Sequence, residues 1–333
     1  VLPSSLSETG GPPQYNGVDT SLWFVNAVYS YLQYTGDTTT IAQPLFDAVL
    51  HVIHWYQEGT TLGIRTDVDG LLLTNQPGVP TTWMNAQADG WVVTPRGGKA
   101  VEVNALWYNA LRIASELASR LGKAQQSHEL SAQAILMHGS FNRRFWNAAT
   151  NCCYDVIDEL GADPSVRPNQ LLAMSLPFQV LTQHRFEAVL EKVRTDLLTP
   201  VGVRTLSPTD RNYAPHYGGD VVQRDRAHHQ GSVFPWLLGP YVDAYLAVHG
   251  RGEGARNEAR ELLRGCLDYL NNAGTGQLCE LFDGAAPHRN GGAIASAASV
   301  AEVLRVFAQS VLLLQPNSVT ASGTSAGSLA QSV

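Results

Sequence analysis

Thr82-Trp83-Met84-Asn85-Ala86-Gln87-Ala88-Asp89-Gly90-Trp91-Val92-Val93-Thr94-Pro95-Arg96 runs directly into Gly97-Gly98-Lys99-Ala100-Val101-Glu102-Val103-Asn104-Ala105-Leu106-Trp107-Tyr108-Asn109-Ala110-Leu111. Its second half places Val101, Ala105, Leu106, Ala110 and Leu111 at helical spacing, after a Thr-Pro-Arg-Gly-Gly turn. A loop with two tryptophans thus feeds a helix with a third. Each indole can serve as ordinary core. The clustering favours a binding surface instead, because indole faces give stacking area while carboxylate, amide and guanidinium groups meet hydroxyls at set angles. Glu102, Asn104 and Asn109 interrupt the apolar face of the helix, and buried polar groups must find partners.

The same alternation continues along the chain. Asp19 to Tyr34 repeats Leu22, Val25, Val28 and Leu32 at helical spacing and stops at Gly36. Helices are predicted over Thr40–Gln57, Ala100–Leu121, Ala124–Phe145, Leu171–Ser175, 185–198, Val233–Val248, 253–272 and 294–313. Gly63 to Thr74 reads as a hairpin around Asp67-Val68-Asp69-Gly70, since the downstream ligands of a calcium loop are missing. Residues 213–231 form a long Tyr-, Gly- and His-rich loop. Paired helices, joined by loops that are polar and aromatic every second time, and almost no strand, predict an all-α fold. In a helical barrel the long loops gather at one end around a pocket. Without a close internal repeat, a solenoid is the alternative. The Ser/Ala/Gly/Thr-rich residues 316–333 read as a disordered tail.

The chain has 333 residues, a net charge of −7 and only 15% charged residues, against roughly 25% in an average globular protein. Much of it must therefore be interior. Without a Lys/Arg run, nucleic acid and membrane are excluded as partners, and neutral ligands fit better. No run of about 18 apolar residues occurs and the N-terminus has no signal-peptide pattern. Cys152, Cys153, Cys266 and Cys279 match neither zinc spacing nor a disulfide framework, and read as reduced cytoplasmic thiols. Adjacent His228 and His229 are expected to point apart, without a third ligand, so no metal and no cofactor is expected.

Several segments, in order, resemble the amylo-α-1,6-glucosidase domain of glycogen debranching enzymes. They are Tyr15-Asn16-Gly17-Val18-Asp19-Thr20-Ser21-Leu22-Trp23-Phe24, the Thr-Trp-Met stretch, Arg167-Pro168-Asn169-Gln170, Leu198-Thr199-Pro200 with Arg204-Thr205-Leu206, Arg224-Asp225-Arg226-Ala227-His228-His229-Gln230-Gly231-Ser232-Val233, and Glu280-Leu281-Phe282-Asp283-Gly284. The resemblance implies an (α/α)6 barrel related to glucoamylases over residues 1–315, and hydrolysis of α-1,6-linked glucose at α-glucan branch points with inversion. That reaction needs an acid at the glycosidic oxygen and a base activating water on the other face.

The family's acid is the aspartate of Thr-Trp-Met-Asp, and this chain has Asn85 there. An amide donates a hydrogen bond but no proton, so low activity is expected. The base maps to Glu280, with Asp283 as the fallback. The family's Gln-Ala-Trp-Ser is Ser296-Ala297-Ala298-Ser299 here, and its Thr-Val-Trp-Pro is Ser232-Val233-Phe234-Pro235. The family's earlier Trp-Gly-Arg-Asp segment is absent, and periodicity yields about nine or ten helices. A missing N-terminal segment or a homo-oligomer is therefore expected to complete the ring.

The resemblance and the loop chemistry together assign substrate binding to Asp19, Trp23, Trp83, Arg96, Glu102, Asn104, Trp107, Arg167, Asn169, Tyr217, Asp225 and His229, for an α-glucan or malto-oligosaccharide. Two further readings compete with the hydrolase: a non-catalytic glucan-binding relative, and an enzyme deliberately inactivated by an Asp-to-Asn change.

Overall fold

The computed structural model describes residues 1–314 apart from Glu8 and Pro77; the tail expectation falls outside the described residues. The chain is mostly helical. Its helices are α1 (Thr20–Thr35), α2 (Thr38–Thr40), α3 (Phe46–Glu58), α4 (Val101–Arg120), α5 (Ala124–Arg144), α6 (Leu172–Ser175), α7 (Phe186–Asp196), α8 (Val221–Ala227), α9 (Leu238–His249), α10 (Glu253–Asn272) and α11 (Ala297–Arg305).

Helix α4 is the centre of the fold. Sixteen of its residues are buried, so it is covered nearly all round by other elements, and its buried Glu102, Asn104 and Asn109 must find partners there. It packs on α1, α3, α5 and α6. Helix α1 buries Leu22, Val25, Val28 and Leu32, the i, i+3, i+6, i+10 stripe seen in its sequence, each side chain contributing about 1.5–3 kcal/mol. Gly36, at φ 65°, ends it by satisfying the Leu32 carbonyl, as a left-handed C-cap does.

The predicted hairpin forms: Arg65–Thr66 pairs antiparallel with Leu72–Leu73. Lys99 Nζ holds Asp67 and Asp69 of its turn at 2.6 and 2.7 Å. The thiols are free and buried, and burial pushes that of Cys266 up to about 12. They are therefore unreactive at neutral pH.

Several expectations require correction. Short strands are frequent: Leu198–Thr199, Gly202–Arg204, Val233–Phe234, Leu281–Phe282 and Asn290–Gly291 form one five-stranded antiparallel sheet. Strands of two or three residues are too short to show alternation. The Thr40–Gln57 helix starts regularly only at Phe46, because Gln43 before Pro44 is extended at φ −154°, ψ 123°, the bias proline imposes on its predecessor. The Val233–Val248 helix loses its first residues to the sheet and enters α9 through Pro235–Leu237. The 213–231 loop contains α8, opened by a capping box between Asp220 and Gln223; Asp with Gln three residues on was the sequence signal for it. The 294–313 helix is α11 followed by a wider turn, Val306–Val311.

A groove of about 980 Å³ runs between α1, α9 and α11, lined by Trp23, Asn26, Trp236, Asp243, Glu302 and Arg305 among others. Among the described residues, no helix is long and apolar enough to cross a membrane.

Candidate active site

Loops from distant parts of the chain meet around two buried arginines. Val18 N–H donates to the Thr81 carbonyl at 2.8 Å, which ties the start of α1 to the Thr-Trp-Met loop. Arg96, at the end of that loop, is 4% exposed. Its Nη2 donates to Glu102 Oε2 at 2.6 Å, with Nη1 on Oε1, and its Nε and Nη2 span Asp155 at 2.8 and 2.9 Å. Its Nη1 also reaches Thr82 Oγ1 at 3.2 Å. One planar fork thus joins the loop, the first turn of α4 and the Asp155 segment, as only a guanidinium can. The two carboxylates outweigh desolvation and hold Arg96 charged.

Arg167 supplies the second junction. Its Nη1 donates to the Thr205 and His229 carbonyls at 3.0 and 2.8 Å, and Nη2 to Gln230 Oε1 at 3.0 Å. Gln230 Nε2 in turn reaches the Val93 carbonyl at 3.1 Å and Thr94 Oγ1 at 3.2 Å. Arg167 Nε has no hydrogen-bond partner among the described residues and lies 3.7 Å from Asp155. Asn169 is not the helix cap it could have been. Its Oδ1 accepts from Trp83 Nε1 and its Nδ2 donates to Asp155 Oδ1, both at 2.8 Å.

Asp19 precedes α1 without a side-chain capping bond and is 8% exposed. Burial, then the neighbouring Glu102, raises its pKa to about 6, against the pull of Arg96. The physical reason is first removal from water, which penalises the charged carboxylate, and then the charge balance around it. Arg96 and Arg167 are balanced by Glu102 and Asp155, so a fifth charge at Asp19 has no counterion.

An aromatic bridge links this cluster to the Glu280 loop. Trp83 meets His229 and Phe234 edge-on at 5.2 and 5.7 Å. His229 and His228 both stack on Phe234 at 5.6 Å, and Tyr217 meets His228 edge-on at 5.5 Å. The two histidines do not point apart: their rings lie 4.5 Å centre to centre, because Phe234 offers a common face. Burial holds His229 far below the usual histidine range, so it is neutral. Among the described residues no group of three or more His, Cys, Asp or Glu could hold a metal ion.

Glu280 stands at the other end of the bridge, half-buried. Its Oε2 accepts from Ala293 N–H at 2.8 Å, and its Oε1 faces His228 Nε2 at 3.4 Å. His228, then the Ala293 amide, holds its pKa below the usual carboxylate range against some desolvation. Asp283, three residues on, accepts from Tyr217 N–H at 2.7 Å and contacts His216 Nδ1 at 3.2 Å. It is 7% exposed and fixes a loop. Asn85 lies two residues past Trp83, with its side chain exposed.

The structure therefore gathers Asp19, Trp83, Arg96, Glu102, Arg167, Asn169 and His229, and brings Tyr217 beside Glu280. It commits two others, Asn104 and Trp107, to the core, while Trp23, one turn of α1 from Asp19, and Asp225, within electrostatic reach of Tyr217, border the cluster. Asn104 is spent on the hairpin, bonding Leu72 N–H and carbonyl at 2.8 and 2.9 Å and the Ala100 carbonyl at 3.0 Å. Trp107 is 1% exposed, with Nε1 on the Gly70 carbonyl at 3.2 Å; it is core. Trp23 lines the groove between α1 and α11, and Asp225 is half-buried in α8. Asp155, Gln230 and His228 were not singled out from the sequence. Asp155 follows two cysteines in no recognisable motif, and His228 has no signal of its own beside the pocket-lining His229 once the metal role of the pair is rejected.

A family profile described as Amylo-alpha-1,6-glucosidase matches residues 1–305. The glycogen debranching enzyme of Saccharomyces cerevisiae is 29% identical over 224 residues, covering 54% of this chain and 14% of that protein. The chain therefore spans about a seventh of the curated relative. A GH78 family rhamnosidase of Bacillus sp. GL1 superposes with a TM-score of 0.50 at 16% identity, covering 87% of this chain and 26% of that one; at that identity the likeness concerns the fold alone. On the match across residues 1–305, this chain belongs to the amylo-alpha-1,6-glucosidase family.

Proposed function

We propose that this chain is a glycoside hydrolase domain acting on α-1,6-linked glucose of α-glucans by inversion, with Glu280 as the base. The observation that carries the reading is Glu280 itself. It is a half-buried carboxylate in a member of the amylo-alpha-1,6-glucosidase family, held ionised at neutral pH by His228 and the Ala293 amide and joined by aromatic rings to the Thr-Trp-Met loop. An ionised carboxylate can take a proton from water. The Arg96–Glu102–Asp155 cluster positions that loop, Trp83 and Tyr217 offer rings and edges to a sugar, and the buried His229 supports Trp83 from behind.

Asn85 occupies the position of the acid. Its amide can hold a glycosidic oxygen but cannot protonate it, so turnover on an unactivated glucan is slow. Asn85→Asp tests this: the rate on an α-1,6-linked glucan should rise by about 10²- to 10⁴-fold, and Glu280→Gln should abolish the gain. If neither change alters the rate, the hydrolase reading is lost and glucan binding remains. A native non-catalytic relative and an engineered inactive form share this geometry; the codon at position 85 in the source gene separates them.

Family membership supports an (α/α)6 barrel for the helix pairs, and the groove between α1, α9 and α11 is the side we propose for a neighbour. A further segment or a second copy would cover that side. Light scattering on the pure chain tests the second copy, which a stable monomer at high concentration excludes.

A further inference from the structure

We propose that His228 is a positioning residue that holds the Glu280 carboxylate in the orientation from which it activates water. The inference rests on the hydrolase reading for its purpose, but its geometry is independent of Asn85. Three contacts fix Glu280. Ala293 N–H occupies Oε2 at 2.8 Å. His228 Nε2 faces Oε1 at 3.4 Å. From below, Gly292, at φ 67°, leaves room that no other residue would: a Cβ there would lie 2.5 Å from Glu280 Oε2 and 2.9 Å from its Cβ.

His228 is itself immobilised. Its ring stacks on Phe234 at 24° between planes, takes the Tyr217 ring on its edge and lies against His229. Three aromatic neighbours hold the ring in place while its Nε2 approaches Glu280 Oε1 to 3.4 Å. Each carboxylate oxygen takes one partner and keeps a lone pair for water, which reaches a side chain that is 33% exposed. A contact of 3.4 Å in the free protein is of the kind that tightens in the reacting complex. The other ionisable groups facing this pair are Tyr217 and His229, with Arg224 and Asp225 of α8 beyond Tyr217 and Arg167 and Arg96 beyond His229.

The experiment uses His228→Phe, which keeps a ring against Phe234 but removes the donor, and His228→Gln, which restores one. α-Glucosyl fluoride serves as substrate, because its leaving group needs no acid and Asn85 can stay. We expect His228→Phe to lower kcat by up to about 10²-fold, the cost of misplacing a reacting group by about 1 Å, with KM little changed. The acid limb of kcat/KM should move to higher pH. His228→Gln should recover most of both. Independently of turnover, the Glu280 carboxyl, followed by ¹³C NMR in glutamate-labelled protein, should titrate at higher pH in His228→Phe than in the parent. Identical Glu280 titration in the two proteins overturns the proposal, and so does an unchanged kcat and acid limb. If the titration moves while neither the parent nor Asn85→Asp cleaves the fluoride, the hold of His228 on Glu280 stands and the hydrolase reading alone fails.

Discussion

Trp83 Nε1 and Asn169 Oδ1 are 2.8 Å apart, and the amide's other end donates to Asp155 at the same distance. One asparagine thus couples the loop bearing Asn85 to the arginine–carboxylate cluster. Asn169→Ala leaves a Trp83 N–H and one Asp155 lone pair without partners, each costing about 1–3 kcal/mol when buried. Chemical denaturation should show a loss of that order, and quenching of Trp83 fluorescence by iodide should increase as the loop loosens. An unchanged denaturation midpoint would mean that the contact is dispensable.

Arg96 is expected to be the most sensitive position in the site. Arg96→Met strands Glu102 as a buried carboxylate without a counterion and leaves Asp155 only Arg167, 3.7 Å away. Breaking such a pair costs about 3–5 kcal/mol. Arg96→Lys should recover only part of this, since a single ammonium nitrogen cannot replace the paired N–H bonds that the guanidinium gives to each carboxylate. Thermal melts of the two variants decide between a fork and a simple point charge: equal melting temperatures would remove the geometric argument.

Stability should depend on pH through Asp19. Its folded pKa, about 6, lies above the ordinary value of 3.8, so the folded state binds the proton more tightly than the unfolded chain. Stability then falls as pH rises from about 4 through 6 and is lowest, for this group, above that window. Asp19→Asn removes the penalty and should stabilise the protein at pH 7 by about 2–3 kcal/mol, converting the shift at 1.36 kcal/mol per unit. Near pH 3.5 the gain should vanish. Urea titrations at both pH values provide the check, and a gain independent of pH would refute the assignment.

Gly292→Ala should disturb Glu280 without touching the core. The added methyl needs the space of the carboxylate, at a positive φ where an L side chain is already strained by about 1 kcal/mol or more. In the Asn85→Asp background, turnover should fall by about 10²-fold while glucan affinity, read by calorimetry, changes little. Loss of both together would place Glu280 in binding rather than in catalysis.

Glucan binding by the unmodified chain should be nearly insensitive to salt, because the rings and paired charges of the site leave no basic patch to be screened. Calorimetry with maltotriose at low and high ionic strength measures this, and an affinity that collapses with salt would contradict it.

The sequence by itself determined the helices with long apolar repeats. α1, α4, α5 and α10 fall where 3.6-residue spacing puts them, because that periodicity is local and each helix buries one face. It also determined the Asp67–Gly70 hairpin, the amide at position 85, and, through motif order, the family and most of the residues around Arg96. Tertiary structure alone decided which polar residues of α4 serve the site. Glu102 and Asn104 are two positions apart and equally buried, yet one meets Arg96 and the other closes the hairpin on Leu72. No local pattern distinguishes them, since their partners lie on opposite sides of the helix and come from different segments. Asp155 and His228 were hidden for the same reason: what each does depends on a group brought to it across the fold. The five-stranded sheet is equally a tertiary product, with strands of two or three residues that exist only because their partners, up to 49 residues away, supply the other half of each ladder.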